Sequence, residues 1–183
     1  MELIIADPTY DHSDRDRDKF LSDLETELSS ISRKYELKDV DIGFGADWPA
    51  ILAILGGLFL LGKPLNENIE GWLRLSNKFV SLIKRIRRKF GHYRIDENGA
   101  SLIAIDKIVK KEKENISTIE KIATTEIPFN TFPLKDSKRL DQHPDNIYVQ
   151  AYRVNDERIY LIGIKSNGKI AFKHKFSTSW INF

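Results

Sequence analysis

Apolar positions along this chain recur with two periods, and the switches between them predict its elements. ELIIA (residues 2–6) is short and β-rich, as a buried strand would be. Beyond the polar stretch DPTYDHSDRDRDKF, Phe20, Leu21, Leu24, Leu28 and Ile31 fall at helical spacing. Acidic residues gather toward the start, where the helix dipole favours them, so a helix ending near Tyr35 is expected. VDIGF (40–44) predicts a second strand, closing at Gly43 and Gly45. Asp47 suits an N-cap, Pro49 a first turn, Gly62 the residue after a helix and Pro64 a stop, which together predict a helix over 48–62. A second helix is expected from about Leu65 to Lys89, making a helical hairpin.

HYRIDENGASLIAI (92–105) predicts a β-hairpin turning at Asn98-Gly99. Residues 107–125, with Ile108, Val109, Ile116, Ile119 and Ile122 among the charges, predict another helix. Residues 126–146 contain Pro128, Pro133 and Pro144 without a clean period, as a linker or a functional segment would. IYVQAYRV (147–154), RIYLIGIK (158–165) and KIAFKHKF (169–176) predict an antiparallel meander with turns at Asn155-Asp156-Glu157 and Ser166-Asn167-Gly168. The expected fold class is α+β. A β-α-β-α-α-β-β layer domain with a central apolar helix hairpin covers 1–106. A helix and Pro-containing linker cover 107–146, and a three-stranded antiparallel meander covers 147–183.

The run WPAILAILGGLFLLG raises the question of a membrane. As a helix, Trp48 to Gly62 would reach roughly 22 Å, against a hydrocarbon core of about 30 Å. Asp47 and Lys63 bracket it with charge. A core helix is therefore expected, with Ala53, Gly56 and Gly57 admitting a close neighbour. MELIIADP lacks the basic start of a signal peptide and reads as a strand.

A net charge of +2 conceals an uneven distribution. Residues 1–47 hold 13 acidic and 6 basic side chains, residues 63–113 hold 6 and 13, and 48–62 hold none. Either a charged partner or packing of the two segments on each other explains this, and the second is simpler. On the 65–89 helix, Trp72, Leu75, Phe79, Leu82, Ile83, Ile86 and Phe90 share one face. Arg74, Lys78, Arg85, Arg88 and Lys89 cluster opposite, with Lys84 and Arg87 at the flanks. This is the candidate interaction surface, suited to an acidic protein or an anionic membrane surface. Nucleic acid fits worse, because the apolar residues of KRIRRKFGHYR already face the core and no helix-turn-helix, zinc or RNP motif accompanies them.

No pattern of catalytic residues stands out. The absence of cysteine excludes disulfide scaffolds and thiolate sites and fits a reducing, cytoplasmic setting. DHSDRDRD (11–18) lacks the glycine and downstream glutamate of a calcium loop, and Arg15 and Arg17 neutralise its acids. Gly43-x-Gly45 precedes Trp48 where a dinucleotide fingerprint needs a third glycine, and Asp47 would repel a phosphate. His12, His92, His143 and His174 are dispersed. The expectation is a non-enzyme with no metal and no cofactor.

Four segments carry a resemblance: ELIIA, VDIGFGADWPAILAILGGLFLLG, the NIEGWLRL–IKRIRRKF helix with its Trp72-Leu73 pair, and YRIDENGASLIAI. In that order they resemble the effector-associated constant component family of bacterial conflict systems, over roughly residues 1–106. The Ile/Lys-rich composition and the C-terminal meander depart from it. The resemblance implies a non-catalytic accessory component acting beside an effector or toxin, and carries over no catalytic residues.

Overall fold

The computed structural model describes residues 1–7, 9, 13–41, 49–55, 69–112, 116–128 and 146–177. In chain order these form β1 (Glu2–Ala6), α1 (Asp14–Ser29), β2 (Tyr35–Asp41), β3 (Pro49–Leu55), α2 (Ile69–Phe90), β4 (Tyr93–Ile95), α3 (Glu97–Glu112), β5 (Ile119–Ile127), β6 (Ile147–Val154), β7 (Arg158–Lys165) and β8 (Ile170–Ser177). Two antiparallel sheets, ordered β2-β3-β1-β4 and β5-β6-β7-β8, combine with the helices in the expected α+β class.

The layout departs from expectation in three places. PAILAIL is a strand, not the first helix of a hairpin: β3 pairs along one edge with β1 (Ile51↔Ile5, Ala53↔Leu3) and along the other with β2 (Ile51↔Asp39, Ala53↔Leu37). Ile51, Ala53 and Leu55 are buried, while Leu52 and Ile54 between them are half-buried. A strand bonded on both edges and apolar on both faces produces a continuous apolar run, which periodicity alone does not distinguish from a buried helix. The central helical hairpin is therefore absent over 49–55. The rest of that reading (Gly43, Gly45, Asp47, Trp48, Gly56, Gly57, Gly62 and Pro64) lies outside the described residues. Among the described residues no helix is long and apolar enough to cross a membrane.

The second departure is at Asn98-Gly99, which lies in the first turn of α3 and not in a hairpin. Asp96 caps that helix: its Oδ1 accepts a hydrogen bond from the Gly99 N–H at 2.8 Å and its carbonyl one from Ala100 at 3.0 Å. Its other oxygen accepts from the Glu2 N–H at 2.8 Å, tying the cap to β1. A side chain at Gly99 would put its Cβ 2.9 Å from Ile95 Cβ and 3.1 Å from Phe79 Cζ, so glycine is what allows this approach. From Gly99 to Asp106 every residue of α3 is buried, followed by Ile108 and Glu112. It packs against α2, β1 and β4 on one side and β6 and β7 on the other. The helix surrounded by protein is thus α3.

Third, the helix expected over 107–125 divides. α3 ends at Glu112, and the β-branched stretch ISTIEKIATTEI supplies β5, which pairs with β6 from Ile119↔Val154 to Ile127↔Ile147. The meander is four-stranded, not three-stranded, and α3 runs across residue 106. The later part of the Pro-containing stretch, with Pro133 and Pro144, lies outside the described residues.

Other elements are of the expected kind with shifted bounds: α1 ends at Ser29, not near Tyr35, so Ile31 lies beyond it, and Tyr35 begins β2, which runs to Asp41 where a strand over 40–44 was expected. α1 buries Phe20, Leu24 and Leu28, and α2 buries Phe79, Leu82, Ile83 and Ile86. Phe20 and Phe90 meet edge to face at 5.1 Å. The three-residue β6–β7 turn, Asn155-Asp156-Glu157 as expected, holds Asn155 and Asp156 in the left-handed region at φ 51° and 56°. One cluster joins both sheets, from Leu3, Ile51 and Phe79 through Leu102 and Ile105 to Tyr152, Tyr160 and Ile162.

Candidate functional site

Basic side chains gather in two places, and the structure uses them differently. The first is the exposed side of α2, where the five expected residues divide. Arg85 and Lys89 both reach Glu27 on α1, with Lys89 at 3.2 Å, and Arg85 also donates to Ser30 Oγ at 3.3 Å. Burial alone would raise the Glu27 carboxyl, but hydrogen bonds and charge from Arg85 and Lys89 hold it below its ordinary value. Part of the charge asymmetry is therefore satisfied inside the fold, where the acidic segment packs on the basic one. Arg74 lies 3.7 Å from Glu70 one turn away, an exposed pair of little energetic weight.

Lys78 and Arg88 remain exposed, as do Lys84 and Arg87 at the flanks, and none makes an ion pair among the described residues. From Arg74 to Arg88 these cations follow about 21 Å of helix, and no acidic residue follows Glu70 on α2. The side chains of this ridge are presented by a helix anchored through Phe79, Leu82 and Ile86, so their spacing is fixed.

Sequence reasoning missed the second place, because its residues are far apart in the chain. Glu112, at the buried end of α3, accepts hydrogen bonds from the Tyr160 hydroxyl, from Arg158 on β7, and from Lys175 on β8 at 2.8 Å. Its burial would raise the carboxyl, yet Lys175, Tyr160 and Arg158 together hold it below the ordinary value. Burial, and then the Glu112 carboxylate, push the Tyr160 hydroxyl above its usual range. Over the Tyr160 ring lie three ammonium groups, those of Lys111, Lys173 and Lys175, at 5.8, 5.8 and 5.7 Å from its centroid. Register explains the convergence: Lys175 stands opposite Tyr160 and Lys173 opposite Ile162, so both lysines occupy the face that α3 covers. The only sequence signal was the alternation Lys173-His-Lys175 on a strand.

The remaining polar clusters hold the fold together. Asp7, buried past the end of β1, accepts from Thr9 N–H at 2.8 Å, Thr9 Oγ1 at 2.7 Å and Arg17 at 3.2 Å. Between α3 and the second sheet, Gln150 Nε2 donates to Ser101 Oγ at 2.8 Å and to the Glu97 carbonyl at 3.1 Å. The Tyr152 hydroxyl donates to Gln150 Oε1 at 2.8 Å. This buried network is satisfied at each step and ties α3 to β6. Of the acidic stretch 11–18, Asp14, Asp16 and Asp18 belong to α1, and Asp11 lies outside the described residues. His12 and His143 also lie outside; His174 stacks between Phe172 at 5.9 Å and Phe176 at 6.3 Å on β8. Among the described residues no cluster of His, Asp and Glu could hold a metal ion. Compared with known protein families, curated proteins and solved structures, the chain matches none.

Proposed function

We propose that the protein is a non-catalytic interaction module, an accessory component that docks an acidic protein surface along the exposed side of α2. One observation carries this reading: Lys78, Lys84, Arg87 and Arg88 lie exposed on one rigid helix without a carboxylate partner among the described residues, whereas Arg85 and Lys89 beside them are tied to Glu27. Complementary charge on a partner speeds association and sets orientation more than it adds affinity, so the complex should be salt-sensitive. An accessory role beside a bacterial defence effector or a toxin is what the N-terminal resemblance implies. A chain without cysteine suits cytoplasmic work of this kind.

The experiment is affinity capture from the source cells with the wild-type chain and with Lys78→Glu/Lys84→Glu/Arg88→Glu. The expected result is one protein partner retained at low salt and lost on charge reversal, with both chains melting alike. Retention of the partner by the reversed chain removes α2 as the surface. Co-flotation of the wild type with anionic vesicles, with no protein captured, favours a membrane surface as the partner instead.

A further inference from the structure

The cations around Tyr160 outnumber what the fold requires of them. Glu112 is the carboxylate they surround, and Arg158 and Lys175 already serve it. Lys111 and Lys173 make no ion pair among the described residues, nor does Lys107, one turn before Lys111 on the same side of α3. The end of α3 contributes about half a negative charge to this region. Among the described residues five cations therefore gather around Glu112 and the helix end, roughly one and a half negative charges, with the Glu157 carboxylate in the lining of the cleft beside Arg158. The repulsion is felt at Lys173, whose ammonium is pushed below the usual lysine range by burial, then by Lys111 and Lys107, against the opposing pull of Glu112. An arrangement that weakens its own lysines is stabilised by an anion entering between them.

Geometry gives that anion a place. Lys111 on α3 and Lys173 and Lys175 on β8 hold their ammonium groups 5.8, 5.8 and 5.7 Å from the Tyr160 ring centre, and Lys107 lies one turn before Lys111, so the anion's place is the trough between these two elements, above the buried ring. Next to this trough opens a cleft of about 740 Å³, lined by Ile116, Ser117, Asn155, Glu157, Ser177 and the shared Arg158 and Lys175. Its size lies within the range of small-molecule sites, roughly 300–1,000 Å³. A single phosphate carries about two negative charges at most, fewer than the three lysines that make no ion pair among the described residues. Two linked phosphates match them.

We propose that this trough binds a small molecule carrying a diphosphate, held by Lys107, Lys111 and Lys173, with the rest of the ligand in the adjoining cleft. Lysine suits the task as a mobile point charge with three donors. The site is independent of the α2 surface, and the two fail separately.

The test is titration of the full chain with inorganic pyrophosphate, followed by calorimetry and by the ³¹P resonance of the ligand. Orthophosphate and sulfate are run beside it at constant ionic strength. Saturable pyrophosphate binding is expected, tighter than that of either other anion. Lys111→Gln/Lys173→Gln should weaken it at least about tenfold, since each lysine supplies a charge-assisted contact. Lys107→Gln, at a half-buried helix position, gives a second and milder variant, while Lys78→Gln/Lys84→Gln on α2 should bind like wild type. Absence of saturable pyrophosphate binding overturns the proposal. So does equal response to sulfate, or binding that survives both the Lys111/Lys173 and the Lys107 changes.

Discussion

Pro49–Leu55 and Gly99–Asp106 are two stretches of similar apolar character, and they fold in opposite ways. Both are deeply packed, and neither shows the one-sided periodicity that would declare its form. Their boundaries and neighbours decide. β3 begins at a proline, tolerated as the first residue of a strand, and lies where β1 and β2 each offer it a free edge. α3 begins at Asp96, whose carboxylate satisfies the N–H groups that a helix start leaves open. A buried apolar segment takes the conformation its surroundings can hydrogen-bond, because unpaired backbone in a dry core is costly whatever the propensity.

The contrast can be broken at its strand first. Ile51→Pro should abolish folding, since β3 donates to neighbours on both sides and proline removes a donor where no edge is free, at about 3 kcal/mol or more. Circular dichroism and urea unfolding would show it; a wild-type melt would mean the strand is misassigned. At the far end of α3, Glu112→Ala should cost roughly 3 kcal/mol, because it strands the buried Tyr160 hydroxyl and the half-buried Arg158, while Lys175 is exposed enough to turn to water. Glu112→Gln should fall between that variant and wild type. At the near end, Asp96→Ala should cost about 1 kcal/mol, while Asn98→Ala should change stability by less than about 0.5 kcal/mol. The reverse order would restore a turn at Asn98-Gly99.

The smallest effect sharpens the electrostatic side. Glu27 and Glu112 are both held below the ordinary carboxyl value of 4.5, so the unfolded chain takes up protons at a higher pH than the folded one. Their contribution is full above that value and is lost as the pH falls below it and through the lowered folded values. A melting temperature falling through that acid range, less so in Glu27→Gln, is the expected record.

Legibility in the sequence followed from how one-sided each element is. α1 and α2 each bury a single stripe, so the positions of Phe20, Leu24, Phe79, Leu82 and Ile86 disclose them directly. β6 and β7 alternate between a face under α3 and an outer face, and their turns are marked by Asn155-Asp156 and Gly168. β3 and the Gly99–Ile105 stretch of α3 are packed on every side and give no such signal. Asp96 was the available clue, three residues before Gly99, yet Asn98-Gly99 is also the strongest hairpin dipeptide, and only packing against Ile95 and Phe79 separates the two readings.

For the candidate surfaces the division is similar. A helical face is legible because its residues are close in sequence, so the α2 ridge was visible, although which of its cations answer to Glu27 was not. The cluster at Tyr160 joins residues 107, 111, 158, 160, 173 and 175 through strand register and a helix crossing, neither of which a linear pattern contains.

Because α3 lies in the cores of both sheets, its amide protons should be the last in the chain to exchange with solvent. Leu102, Ile105 and Ile108 are shielded on one side by α2 and β1 and on the other by β6 and β7. Neither half can open to water without uncovering this helix. Deuterium uptake there should then occur only through global unfolding, with one protection value running from Leu102 to Ile108. A chain severed after residue 106 would divide that helix between two fragments, each bearing a raw apolar surface and prone to aggregate.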